Sequence, residues 1–284
     1  MSFFRYPGGK SKLLTTIIPK LTELQSDLDT YIEPFFGGGS VGIEFLSKCN
    51  GISTAILNDK DYGISCLWNS VLTSPNELKS MISDFIPSIS AFDEFKRMLT
   101  SSPDANIKQL EYAFAKLAIH QLSYSGLGTK SGGPLGGRNN ENVAGSATIK
   151  YPIDCRWSPK HIIKKIDAIH YQLEKYIITC ANVSFEAVLN HSKSLVYLDP
   201  PYFIKGNDLY QHGFTEQNHI DLADSLKHSD HNWLLSYDDC DEIRQLYTWA
   251  KIETIESVKY SITASKSADG ERKSTHKSEL LISV

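Results

Sequence analysis

Apolar residues recur at helical spacing from Ser11 to Leu24, and a short apolar run around Tyr31-Ile32 leads into Gly37-Gly38-Gly39. A second run, Ala55-Ile56-Leu57, stops at Asn58-Asp59. Loop, helix, strand, glycine turn, helix, strand is the opening of a doubly wound, mostly parallel, Rossmann-like α/β sheet. From about Tyr62 to Leu122 strand patterns vanish, and Leu110 to Ala118 carries helical apolar spacing, which predicts a mainly helical insertion. Alternation then resumes. The pattern predicts a helix from Pro159 to Tyr176, a strand from Leu195 to Leu198, a helix from Thr215 to Leu226, a strand from Trp233 to Ser236 and a helix from Asp241 to Trp249. Two last strands, Ile252 to Ile262 and Leu280 to Val284, flank a polar loop.

Composition narrows the function classes. The 284 residues are 41% hydrophobic and 22% charged, which suits a globular chain with a large core and excludes disorder. Twenty-nine Lys and Arg against 33 Asp and Glu give −4, so a polyanion must meet a local patch. Such a patch is present: residues 130 to 165 carry seven Lys/Arg against two acids, a net +5 that leaves −9 elsewhere. Seven of the 18 glycines lie just there, between Gly126 and Gly145. Five scattered cysteines without a C-x-x-C pair suit a reducing, cytoplasmic setting. The N-terminus has no apolar leader and no run nears the roughly 18 apolar residues of a membrane span, so no membrane partner is expected.

Two motifs carry candidate chemistry. Gly37, Gly39 and Gly42 form G-x-G-x-x-G after a strand and before a helix, with Asp59 twenty residues past Gly39. That pattern alone suits a dinucleotide, or a tight turn without a ligand. Glu33-Pro34, however, puts a carboxylate ahead of the glycines, where it would repel a pyrophosphate and suit a cationic ligand. Leu195-Val196-Tyr197-Leu198-Asp199-Pro200-Pro201-Tyr202 is the more specific motif. The prolines lack N–H groups, so the stub leaves carbonyl and carboxylate acceptors beside a flat ring. A planar amine fits those acceptors.

Other features carry less. Tyr6-Pro7-Gly8-Gly9-Lys10-Ser11 lacks the first glycine of a phosphate loop; its ring and lysine suit clamping a small ligand, and the same residues equally suit a plain N-terminal turn. His228-x-x-His231 is read as a solvated pair, so no metal site is expected. No Ser or Cys sits in a nucleophile turn. Lys266, Arg272, Lys273 and Lys277 form a second basic loop that suits either phosphate or water.

Taken in order, Tyr6 to Lys10, Glu33 to Ser40, Asn58-Asp59, Asp199 to Tyr202, Phe214 with His219 and Leu222, and Glu279-Leu280-Leu281 resemble the Dam-type DNA adenine-N6 methyltransferase family over essentially the whole chain. The resemblance implies a methyltransferase sheet built from residues 1–61 and 158–284. Residues 62–157 would be an inserted target-recognition domain carrying a hairpin. It implies S-adenosylmethionine held by Tyr6, Lys10, Phe35, Gly37, Gly38, Gly39, Ser40, Asp59, Ser184, Phe185 and Asp199. Asp199 and the Pro200 carbonyl would hold the N6 hydrogens of a flipped adenine, with Pro201 shaping the stub and Tyr202 stacking on the base.

Duplex DNA would meet Arg5, Tyr124, Ser125, Leu127, Thr129, Lys130, Arg138, Asn139, Asn140 and Lys150. The best-known relatives place an Asn and an Arg where this chain has Ser125 and Thr129, so a target other than GATC is expected. A monomer or weak dimer in a bacterial or phage-infected cell, with a separate restriction nuclease as candidate partner, completes the expectation. A methyltransferase of RNA or another planar amine, and a nucleic-acid-binding relative without catalysis, are the alternatives.

Overall fold

The structure, a computed structural model, describes residues 2–4, 9–204, 213–258 and 277–284. Seven strands form one sheet: β1 (Thr30–Glu33), β2 (Thr54–Asn58), β3 (Ile177–Ala181), β4 (Leu195–Leu198), β5 (Asn232–Asp238), β6 (Lys251–Val258) and β7 (Lys277–Ser283). Their order is β3-β2-β1-β4-β5-β7-β6, with β1 to β5 parallel and β7 antiparallel between β5 and β6.

Successive side chains feed opposite faces. Tyr31, Leu195, Tyr197 and Leu234 join one core, while Ile32, Val196, Leu198, Trp233 and Leu235 join the other. This period of two, in strands apolar on both sides, is what a sheet covered by helices on both faces requires. One layer holds α1 (Leu14–Gln25), α2 (Ser40–Lys48) and α7 (Pro159–Leu173). The other holds α8 (Phe185–Leu189), α9 (Glu216–Lys227) and α10 (Asp241–Leu246).

The helical stretch between β2 and β3 is α3 (Tyr62–Thr73), α4 (Pro75–Asp84), α5 (Ile89–Thr100) and α6 (Gln109–Leu122). Asp61 caps α3 and Ser88 caps α5, each accepting a backbone N–H three residues on. Ile64, Leu67, Phe92 and Leu117 of these helices belong to the same continuous core as α1, α2 and α7.

Three expectations change. α7 ends at Leu173, and the chain beyond Tyr176 becomes β3, an edge strand whose half-exposed pattern, with Ile177 72% exposed, resembles neither a buried run nor clean alternation. The expected hairpin is reduced to one antiparallel bridge, Ser123 with Pro134, flanked by Tyr124 N–H to Gly133 O at 2.9 Å and Leu135 N–H to Leu122 O at 2.8 Å. Two short 3-10 turns, Tyr124–Gly126 and Gly128–Lys130, occupy the strand position instead. Finally, α10 stops at Leu246, short of Trp249. The expected strand to Ile262 is described only as far as Val258, and Lys266, Arg272 and Lys273 lie outside the described residues.

Candidate active site

The parallel strands β1, β2 and β4 end side by side where the strand order reverses, the position at which open α/β sheets bind ligands. Their loops wall a cleft of about 540 Å³. Asn58, at the end of β2, ties the walls together: its side-chain amide donates to Pro34 O at 2.9 Å and Val183 O at 3.2 Å, and accepts the Val183 N–H at 3.0 Å. Asp59 follows it. Its carboxylate accepts the N–H of Gly37 and of Asp61, both at 2.8 Å, so it fixes the glycine loop as well as lining the cleft. Burial, with Asp61 close by, pushes this carboxyl up to about 6.

The glycines serve the fold first. Gly39 has φ +67°, and a Cβ there would lie 2.8 Å from Trp68 Cζ2 and 2.9 Å from both Ile43 and Phe36. A Cβ on Gly42 would collide with the Glu33 carboxylate. A side chain at Gly39 or Gly42 would therefore meet the protein's own core, while the Gly39 backbone also lines the cleft. Glu33 is buried and accepts the Tyr31 hydroxyl at 2.7 Å, and burial holds its carboxyl well above the usual range. Glu33 therefore meets the Tyr31 hydroxyl inside the fold, and burial favours its neutral form more than the sequence alone suggests.

One end of the cleft is aromatic. Phe35, Phe185 and Phe214 stand 5.6 to 5.9 Å apart between ring centroids, with Val183, Ser184 and Asn218 beside them. Ser184 caps α8, accepting the Ala187 N–H. Ser40 opens α2 and, with Gly37 and Gly38, lines the middle of the cleft.

The other end is an ionic cluster around Asp199. Lys10 is buried, and its ammonium lies 2.5 Å from Asp199 Oδ1, 2.8 Å from the Tyr202 hydroxyl and 3.2 Å from Glu279 Oε1. It also stands over the Tyr202 ring, 4.8 Å from its centroid. The Tyr202 hydroxyl donates to Glu279 at 2.5 Å. Ser236 donates to Asp199 at 3.3 Å. Burial raises the Asp199 carboxyl and Lys10 opposes the rise. Pro200 is buried and Pro201 lines the cleft. Past the stub, Asp238 accepts the N–H groups of Phe203 and Ile204 at 3.0 and 3.1 Å, which fixes the chain leaving Tyr202.

The helical wall adds residues that no local motif flags. Lys116 of α6 pairs with Asp61 at 2.5 Å, both buried, and lines the cleft with His120 and Phe4. His120 donates from Nδ1 to Gly126 O at 2.8 Å, and burial beside Lys116 pushes its imidazole down to about 3.

The expected DNA contacts separate into two places. Leu127, Thr129 and Lys130 border the cleft, whereas Tyr124, Arg138 and Lys150 line an open hollow together with Tyr151 and Arg156. Arg138 is ion-paired, both terminal nitrogens donating to Asp93 at 2.9 and 2.7 Å, so the +5 count overstates the charge it presents. Asn139 and Asn140 are exposed at a turn, and for Ser125 only the backbone is described. Arg5 and Tyr6 lie outside the described residues.

The His228/His231 pair reads differently in three dimensions. His231 is buried, accepting the Ser194 N–H at 3.0 Å through Nδ1 and donating from Nε2 to Leu189 O at 2.9 Å, so it is a core residue and not a solvated one. Among the described residues no group of His, Cys, Asp or Glu could hold a metal ion, and no helix is long and apolar enough to cross a membrane. The five cysteines are free thiols.

Strand order and a cleft at the carboxyl edge define an α/β protein in which the acid-proline-proline-tyrosine stub stands beside an ionic cluster. The chain matches the family of D12 class N6 adenine-specific DNA methyltransferases over residues 6–261 and belongs to it. It is therefore an enzyme that transfers a methyl group to N6 of adenine in DNA. Among solved structures it is similar to the rRNA methyltransferase aviRa from Streptomyces viridochromogenes, at 13% identity and a TM-score of 0.40, over 98% of this chain and 86% of that one. No curated protein matches the chain.

Proposed function

We propose that the chain is a site-specific methyltransferase of the Dam-type subclass that takes its methyl group from S-adenosylmethionine and acts on a flipped adenine in duplex DNA. The observation that carries this reading is the Asp199 stub, which puts Asp199 and Pro201 in the lining of a cleft that also holds Phe35, Phe185 and Phe214, with Tyr202 tied to the lining residue Lys10. The donor set fits S-adenosylmethionine. The rings of Phe35, Phe185 and Phe214 suit its adenine, the Asp59 carboxylate suits ribose hydroxyls, and the polar end with Lys10 suits its methionyl part. When bound, that group supplies a methyl on a sulfonium, a good leaving group.

The chain's own residues do the rest. The adenine amino lone pair is delocalised into the ring, so acceptors that hold both N6 hydrogens favour a pyramidal nitrogen able to attack. The Asp199 carboxylate and the Pro200 carbonyl supply them. Tyr202, anchored through its hydroxyl, presents its ring to a base flipped at a cost of about a few kcal/mol. Residues 62–157 act as the recognition region, with Leu127, Thr129 and Lys130 nearest the chemistry and Lys150 on phosphate. Ser125 and Thr129, which cannot offer the two-pronged contact an arginine gives guanine, place the target outside GATC. The enzyme works as a monomer or weak dimer in a bacterial or phage-infected cell, with or without a partner nuclease.

Transfer of radiolabel from S-adenosylmethionine tests the reading. Wild-type protein labels duplex DNA and Asp199→Ala does not. Label on RNA alone would overturn it.

A further inference from the structure

Glu279 lies on β7, the strand that enters the sheet antiparallel, and its side chain is 1% exposed. It does not line the cleft, yet it touches two residues that bear on the reacting end. It lies 3.2 Å from the Lys10 ammonium and accepts the Tyr202 hydroxyl at 2.5 Å. Lys10 is thus shared between the buried carboxylate of Glu279 and the partly exposed one of Asp199, and its shorter contact is to Asp199. An amine arriving at Asp199 competes with that contact.

The geometry points to Glu279 as a positioning residue for methyl transfer: it holds Lys10 and Tyr202 so that the Asp199 carboxylate is released to the adenine amine. This inference rests on the reading of Asp199 as the amine acceptor. Its electrostatics follow from counting charges. Lys10 with Asp199 alone would be a neutral, tightly closed pair, whereas Lys10 with Asp199 and Glu279 carries one net negative charge. In the reaction N6 gains the methyl carbon as the donor's S–C bond breaks. The positive charge that reaches N6 then leaves as one proton to Asp199. A cluster with a surplus negative charge stabilises that developing cation more than a neutral pair does.

The charged or titratable groups facing Asp199 are Lys10, Glu279, Tyr197, Glu33 and Tyr237, with Tyr202 against Lys10 and Asp238 beside Glu279. Of these, Glu279 is a like charge that raises the Asp199 carboxyl, and its removal lowers it.

The test is Glu279→Gln in the full chain, which keeps an acceptor for Tyr202 and removes the charge. We expect single-turnover methyl transfer to DNA to fall about tenfold or more while S-adenosylmethionine binds within about threefold of wild type. The acid limb of the rate profile moves to lower pH, because a like charge beside Asp199 is gone. A rate within about twofold of wild type, or a fall in rate with the acid limb unmoved, would overturn the proposal. If Glu279→Gln does not fold, Glu279→Asp carries the test: the shorter carboxylate keeps the charge and loosens Tyr202, giving an intermediate rate with an unmoved limb. Wild-type rate from that variant would also overturn it. Absence of adenine methylation by the wild-type chain would instead reject the functional reading on which the inference rests.

Discussion

The Asp59 carboxylate accepts the Gly37 amide at 2.8 Å across 22 residues of sequence, so it ties the loop after β1 to the end of β2. Because burial and Asp61 raise that carboxyl to about 6, it gains a proton as the pH falls through that value. A protonated Asp59 is a poorer acceptor for both the amide and a ribose. Calorimetry with S-adenosylmethionine should therefore show affinity weakening by about tenfold from pH about 7.5 to about 5.2, a dependence lost in Asp59→Asn. Equal affinity at the two pH values would remove Asp59 from the donor site.

Gly39 is set by the core and not by a ligand alone. Gly39→Ala forces a Cβ into Trp68, Ile43 and Phe36 at a left-handed φ, and should cost about 2–4 kcal/mol in denaturant unfolding without any ligand. A variant as stable as wild type would mean that the loop relaxes around the added carbon.

Asp61 and Lys116 form a buried pair that joins the loop after β2 to α6. Lys116→Met removes the ammonium that pairs with Asp61 and should cost about 3–5 kcal/mol, while Lys116→Met with Asp61→Asn recovers much of the loss, since Asn still caps α3. A double variant no better than the single one would contradict the pairing.

The legible part of this protein was the part that is local in sequence. The two-sided apolar runs of β1, β2, β4 and β5, the glycine turn, Asn58-Asp59 and the Asp199 stub each lie within a few consecutive residues. What could not be read depends on distance. Lys10 and Asp199 are 189 residues apart, Lys116 and Asp61 55, and neither contact leaves a periodic trace. β3 was hidden for another reason, being an edge strand only partly buried, and α8 is five residues long. Arg138 was counted as a DNA charge because Asp93, its partner, lies on a separate helix.

That pairing alters the expected response of DNA binding to salt. Neutralising Lys130 and Lys150 together should flatten the slope of log affinity against log salt by up to about two units. Arg138→Gln alone should change it by less than about half a unit, and Asp93→Asn should steepen it. A full unit lost in Arg138→Gln would show that DNA takes the guanidinium away from Asp93.

The central claim is that the Asp199 stub methylates adenine in DNA. Its most direct test is expression of the wild-type chain and Asp199→Ala in a bacterial host free of adenine methylation, followed by sequencing that detects modified adenine. The account predicts N6-methyladenine at a defined sequence other than GATC with the wild-type chain and none with Asp199→Ala. Modified adenine at equal levels with both, or none with the wild-type chain, would contradict it.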